Sequence, residues 1–214
     1  WDEARHGISA YEMMQSGNYL INTFAKEPDY WNVKPPLSFL TVAAGFSLFG
    51  YTAVGLRFFS ALSYVLTSVL TGLFARRYGN AASLFTMAFL AANYFPFKAH
   101  LARAGDADSL YLLLFTLAML AMLNIPKNQR FIYVCGLCFS LAFLTKSFHA
   151  GMIAAVGGLF LLLTGELKKM RPRVWMGFLL SSFLPILLWT CLRYQYDGMG
   201  RVVRMEYPHG WVED

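Results

Sequence analysis

Four short clusters of charged residues interrupt an otherwise apolar chain of 214 residues, and each holds side chains able to act on a polar ligand. The first opens the chain with Asp2 and Glu3, followed one helical turn on by Arg5. A carboxylate held at a surface can serve as general base for an incoming hydroxyl or amine. An arginine beside it would orient it and hold it ionised. The same three residues also fit a plain helix start, with Asp2 as N-cap, Glu3 in the first turn and Arg5 as ion-pair partner. The second cluster is Lys34, set in front of Pro35 and Pro36, which stiffen the backbone and fix where the ammonium points. A compact point charge of this kind suits a phosphate, although an interfacial lysine can also simply snorkel.

The third cluster runs from Lys98 through His100, Arg103 and Asp106 to Asp108. Two carboxylates and three potential cations exceed what a turn between apolar runs requires. Asp108 is expected to N-cap the helix after it. Asp106 and Asp108 could also bind a divalent metal, which two carboxylates alone signal only weakly. The fourth cluster is Lys146 with His149, again at a junction of apolar runs; a lone histidine there reads as a satisfied interfacial side chain. His6 and His209 carry no further signal. Cys135 and Cys138 share a CxxC-like spacing but lack a second pair or a nearby histidine, and with Cys191 they read as packing residues.

The elements that must position these groups belong to a membrane protein. Only 14% of residues are charged and 57% are hydrophobic, with mean hydropathy +0.45; a soluble domain has about a quarter charged. A net charge of +6 raises nucleic acid as a partner. The basic residues, however, sit in short clusters between apolar runs, the pattern that orients membrane proteins, so no nucleic acid is expected. The chain starts without an initiator Met or signal pattern, already inside a motif, and is expected to lack an upstream part with a first span.

Residues 2–16 place Ala4, Ile8, Tyr11 and Met14 on one helical face and stop at Ser16-Gly17-Asn18. This helix is too polar to span and is expected to lie in the interface. The loop after it, with Lys26, Glu27, Pro28, Asp29 and the aromatics Phe24, Tyr30 and Trp31, suits the headgroup region. The 16 residues Pro35–Gly50 reach only about 24 Å against a hydrocarbon core of roughly 30 Å. They are expected to form a juxtamembrane or re-entrant helix. Spans are expected at about 56–75, 81–97, 109–125, 131–146, 149–165 and 174–192. The expected fold class is thus all-α: a polytopic membrane bundle of about six transmembrane helices with amphipathic juxtamembrane helices before them. It forms one domain, with an external loop over 1–55, spans over 56–192 and the start of another external loop over 193–214.

The connections alternate in charge. Arg76-Arg77, Lys127 with Arg130, and Lys168, Lys169, Arg171 and Arg173 form one set with Glu166 as its only acid. By the positive-inside rule that set is cytoplasmic. The other set holds Lys98 to Asp108, Lys146 to His149 and the tail from Arg193, including Arg201, Arg204, Glu206, His209 and Trp211. If Pro35–Gly50 does not cross, Asp2, Glu3 and Lys34 join this outer face, and nearly all the acids gather on one side.

At this point DEAR, KPPLSFL, ARAGDAD and FLTKS, in that order across about residues 1–192, resemble the dolichyl-phosphate-mannose–protein mannosyltransferase-like glycosyltransferases. That group has the GT-C fold and includes family-39-type enzymes and the aminoarabinose–lipid A transferases. The resemblance implies an inverting transferase of the bacterial inner membrane, moving a sugar from a polyprenyl-phosphate donor to a lipid, glycan or protein acceptor at the outer face. It implies Asp2 as catalytic base in the Asp2-Glu3 pair, and Lys34 on the carrier phosphate. Asp108 matches by register the acid opening the helix after the second external loop. Asp106 and Arg103 lie close by, Arg5 and Lys146 join Lys34 and Arg103 as donor phosphate-binding residues with Lys146 near the donor pocket, and Asp106 and His149 are supporting residues. Lys34 and Arg103 would stabilise the departing phosphate, and the lipid tail would lie in a groove between 56–75 and 131–146. Where some relatives carry a metal-site acid before the lysine, this chain has Val33 preceded by Asn32. No cofactor is assigned, and a divalent metal is left open. The rival readings are a transporter, which would keep its charges near mid-membrane and show internal repeats, and a non-catalytic membrane subunit.

Overall fold

Apolar residues at helical spacing form helices along almost all of the chain that the computed structural model describes, namely residues 2–29, 34–94, 97 and 101–197. Trp1, Tyr30, Trp31, Asn32, Val33, Lys98 and His100 lie outside the described residues. So does the tail from Gly198, with Arg201, Arg204, Glu206, His209 and Trp211.

Helix α1 (Asp2–Ser16) ends where Gly17 takes a φ of 69°, as its stop signal implied. The packed face differs from the expected one. Ala4, Ile8 and Tyr11 are exposed, whereas His6, Ser9, Ala10 and Met13 are buried. The reason is steric: the small Ser9 and Ala10 let the next helix approach, and Ala10 packs with Val42, Ala43 and Phe46. A two-residue antiparallel hairpin, β1 (Thr23–Phe24) and β2 (Glu27–Pro28), turns through Ala25 and Lys26 at positive φ. This is the one departure from an all-α fold among the described residues. Helix α2 (Pro36–Phe49) begins with proline in its first turn. Thr52 then caps α3 (Ala53–Ala75) by accepting a hydrogen bond from the Gly55 N–H at 3.1 Å.

Helix α2 lies across the start of α3. Its late residue Gly45 abuts the Gly55 carbonyl, and the Phe49 and Phe58 rings are 4.6 Å apart. At its other end, Lys34 contacts Asp106, whose carbonyl accepts from Ser60 of α3 at 3.3 Å. Both ends of α2 therefore stand beside the first two turns of α3. At 14 residues it is also only about 21 Å long.

The bundle continues with α4 (Asn80–Ala92), α5 (Asp108–Met122), α6 (Phe131–Lys146), α7 (Gly151–Leu163) and α8 (Pro172–Asp197). Three helical runs are long and apolar enough to cross a membrane: Ala53–Tyr78, Phe131–Leu163 and Pro172–Tyr196. The middle run is a hairpin. Ser147 takes a φ of 49°, Ile153 packs with Cys138, and Leu161 packs back beside Ile132 and Cys135. Its limbs α6 and α7 thus lie side by side as two helices, in the places of the expected runs 131–146 and 149–165. Helices α4 and α5, of 13 and 15 residues, are shorter than the expected spans. Helix α8 runs to Asp197, past the expected start of the external loop.

Leu73, Phe85, Leu159, Leu163 and Leu187 are among many large apolar side chains left exposed, a surface matched to lipid rather than water. Cys135 and Cys138 are buried as expected; Cys191 is exposed. Helix α5 packs against both α3 and α6, which corrects the expected groove between 56–75 and 131–146. A cavity of about 280 Å³ opens instead among α5 to α8, lined by Met122, Cys135, Phe139, Gly157, Leu161 and Trp175.

The Gly45–Gly55 crossing gives a direct test. A Cβ at Gly45 would collide with the Gly55 carbonyl, whereas one at Gly158 meets open space. Gly45→Ala is expected to cost about 1–3 kcal/mol and lower the thermal midpoint in detergent, while Gly158→Ala leaves it unchanged or raises it.

Candidate functional site

The segment Leu101–Ala107, between α4 and α5, is where the charged groups converge. Gly105 must be glycine, because a Cβ there would stand 2.6 Å from the Leu56 carbonyl oxygen. Its N–H donates to Glu3 Oε1 at 3.0 Å. Glu3 also accepts two bonds from Arg57 of α3, at 2.5 Å from Nε and 2.9 Å from Nη2. Glu3 therefore ties α1 to α3 and to the segment that carries Asp106.

Asp106 is buried, and its Oδ1 accepts from Lys34 Nζ at 2.8 Å and from the Ala107 N–H at 2.6 Å. His6 Nε2 lies 3.6 Å from the same oxygen. The His6 ring is buried, stacked on Phe39 with centroids 4.6 Å apart. Its Nδ1 is 3.2 Å from the Asp2 carbonyl and its Nε2 3.3 Å from the Ser38 hydroxyl. A carbonyl can only accept, so Nδ1 carries the proton and Nε2 is the acceptor in the neutral ring.

Burial alone would raise the Asp106 pKa. His6, Lys34 and the Ala107 N–H together outweigh it and hold the carboxyl below its ordinary 3.8. The stability this ionised group contributes is present above 3.8 and lost as pH falls through its lower folded value. For His6, burial first and the Lys34 charge second keep the ring below its ordinary 6.5, against the opposing pull of Asp106 and Asp2. The unfolded chain binds that proton first, so stability declines as pH falls below 6.5.

Asp108 and Lys146 form a second ion pair beside the first, joining the start of α5 to the end of α6. This corrects the N-cap expectation for Asp108. It is the first helical residue, Ala107 occupies the cap position without a side-chain bond, and the Asp108 carboxylate turns to Lys146 instead. The Asp2–Arg5 pair is also corrected. Arg5 forks onto Asp29, at 2.9 and 2.7 Å, and lies over the Phe24 ring. The hairpin folds back on α1 and brings Asp29 there buried, and a bidentate bond outweighs an exposed pair within one helix. Two of the Arg5 guanidinium nitrogens, Nε and Nη2, are thereby committed to Asp29. The Asp2 side chain is exposed, with no hydrogen bond to its carboxylate among the described residues. Arg103 is exposed without an ion pair among the described residues. The exposed His149 closes the α6 turn: its Nδ1 is 3.3 Å from the Lys146 carbonyl, and its own carbonyl accepts from Tyr111 at 2.7 Å. No three His, Cys, Asp or Glu side chains are grouped as a metal site among the described residues.

Two members of this end, His6 and Arg57, were not expected from the sequence. His6 sits one turn after Asp2, too local a spacing to announce a contact with residue 106. Arg57 did carry a signal, as a lone cation inside an apolar helix; Arg193, expected to open the external loop, is instead buried near the end of α8.

Compared with known proteins, residues 33–189 match the family described as dolichyl-phosphate-mannose-protein mannosyltransferase. An uncharacterised protein of Aquifex aeolicus is 31% identical over 86% of this chain. The undecaprenyl phosphate-α-4-amino-4-deoxy-L-arabinose arabinosyl transferase 2 of Pseudomonas fluorescens is 31% identical over 71% of it. The chain spans 37% and 28% of those two proteins. ArnT of Cupriavidus metallidurans, solved without ligand and bound to undecaprenyl phosphate, superposes with a TM-score of 0.76 in both states at 21% identity. The match covers 99% and 93% of this chain and 40% and 38% of those structures, and establishes the fold.

The Arg5–Asp29 fork is testable apart from any ligand. Arg5→Ala removes both bonds of the fork from a buried carboxylate and, with Arg5 itself partly exposed, is expected to cost about 3 kcal/mol, the low end for a broken buried pair. Adding Asp29→Asn should recover part of that loss in thermal unfolding, which independent contributions would not do.

Proposed function

Because the chain belongs to the dolichyl-phosphate-mannose-protein mannosyltransferase family, we propose that the full protein is a membrane glycosyltransferase. It moves a sugar from a polyprenyl-phosphate donor to a lipid, glycan or protein acceptor, and the Asp2–Lys34–Asp106 end of the bundle is its active site. The observation that carries this reading is the Lys34–Asp106 pair. Lys34, with 23% of its side chain exposed, is anchored to a nearly inaccessible carboxylate, so its ammonium is held in place beside a partly accessible surface. A fixed point charge of that kind suits the phosphate of a lipid carrier, whose developing negative charge it would stabilise during departure. The binding of undecaprenyl phosphate by the C. metallidurans ArnT supports the same class of donor.

Asp2, exposed at the start of α1, acts as general base on the acceptor, opposite the departing phosphate, so the anomeric carbon inverts. Glu3, engaged by Arg57 and Gly105, is a positioning residue rather than a base. Lys146 and Asp108 flank the donor pocket as a pair, and Arg103 stands available to a phosphate from the segment that carries Asp106. The active face is external, since the opposite end of the bundle carries the basic connections Arg76-Arg77, Lys127 with Arg130, and Lys168 to Arg173.

In the full-length protein, Asp2→Asn is expected to abolish sugar transfer while carrier binding persists. Lys34→Ala is expected to weaken binding of a polyprenyl-phosphate sugar at least tenfold, the scale of a lost charge-assisted bond. Normal turnover by the Asp2 variant would remove it as the base. Comparing the lipids and glycans of cells with and without the gene by mass spectrometry would identify the acceptor.

A further inference from the structure

We propose that His6 sets the charge the carrier phosphate meets: it takes up a proton at Nε2 when the phosphate binds, and so frees Lys34 from Asp106 to engage the ligand. This rests on the phosphate reading of the site.

The geometry is a competition for one oxygen. Asp106 Oδ1 is 2.8 Å from Lys34 Nζ and 3.6 Å from His6 Nε2. In the neutral ring Nε2 offers a lone pair, 3.3 Å from the Ser38 hydroxyl, and can do nothing for a carboxylate. The lysine then divides its charge between Asp106 and any incoming anion. With a proton on Nε2 the ring becomes a donor, and a small approach closes the remaining gap to Asp106. The imidazolium then balances the carboxylate, and the Lys34 charge turns outward. The proton comes from solvent, and no bond other than N–H is formed.

The charged groups facing the ring among the described residues are Asp2 from α1, Lys34 from the segment before α2, and Asp106 from the segment before α5. Helix α2 contributes Ser38 and Phe39, which do not titrate near neutrality. Burial and Lys34 keep the free protein's ring neutral at pH 7. A phosphate brought to Lys34 acts in the opposite sense, since a nearby anion favours the imidazolium. By linkage, affinity then rises as pH falls, by up to tenfold per unit for one proton taken up.

The test uses full-length protein and the methyl phosphodiester of undecaprenyl phosphate, whose single acid group stays ionised throughout. Its dissociation constant is measured from about pH 8 to about pH 5, with proton uptake read from binding heats in buffers of different ionisation enthalpy. The wild-type protein is expected to bind several-fold more tightly at the acid end and to take up close to one proton. His6→Gln, which keeps a neutral hydrogen-bonding side chain, is expected to bind with an affinity that does not change with pH. PH-independent affinity without proton uptake in the wild type would overturn the role of His6, and this measurement needs no variant. The same pH slope in wild type and His6→Gln would also overturn it. Absence of diester binding at every pH would instead overturn the phosphate reading of the site, and the role of His6 with it.

Discussion

The burial of the Asp106 carboxylate is the constraint on which the rest of this structure depends. An ionised carboxylate removed from water costs several kcal/mol unless it is paired and hydrogen-bonded. Here the compensation comes from Lys34 before α2 and from the Ala107 N–H, with the His6 ring of α1 standing 3.6 Å from the same oxygen and able to join them once protonated. None of these groups is brought close to Asp106 by the others. The Ala107 N–H comes from the neighbouring residue, but Lys34 and His6 arrive on separate segments, so the start of α2 and α1 must both be in register with the segment before α5. The Glu3–Arg57 fork and the Ser60 bond to the Asp106 carbonyl extend the same demand to α3.

The remainder of the bundle is built to hold that end still. Helices meet through small residues, as where Gly45 touches Gly55 and where Gly105 passes Leu56, because lipid supplies no hydrophobic drive for one helix to meet another. The chain reverses at Ser147, so α6 delivers Lys146 to Asp108 and α7 returns beside it. Two ion pairs thus stand next to each other, anchored by acids two residues apart, and both are supported from below by apolar helices. Such a scaffold anchors the Lys34 side chain at this end without fully burying it.

Much of this was legible in the sequence where the cause is local. The stop after Ser16 follows from Gly17, and the separate limbs of the 131–163 hairpin follow from Lys146 and His149 interrupting an apolar run. That Lys34 before two prolines, and Asp106 with Asp108 in a short connection, must find partners was legible too, since they are too charged for their surroundings, and each does form an ion pair. The wrong expectations share one feature. Arg5 was paired with its helical neighbour Asp2, and Asp108 with its own helix as a cap, because sequence spacing exposes only local partners. In the folded chain both turned to distant ones, Asp29 and Lys146. The packed face of α1 was misread for a related reason. In a membrane protein the apolar side chains can face outward, and the small polar face carrying His6 and Ser9 is free to pack inward.

By itself the sequence determined that this is a helical membrane protein with its acids gathered at one end and a phosphate-suited lysine among them. Composition, the length of apolar runs and the placement of basic residues act through the bilayer and need no knowledge of contacts. Only the tertiary structure decided which acid holds which cation. It gave Asp106 to Lys34 with His6 at its side, assigned Glu3 to Arg57, and left Asp2 exposed. Those choices depend on distances of a few ångströms between residues up to 102 positions apart, as between Glu3 and Gly105. The cost of burying a charge selects among such partners only once the helices have packed.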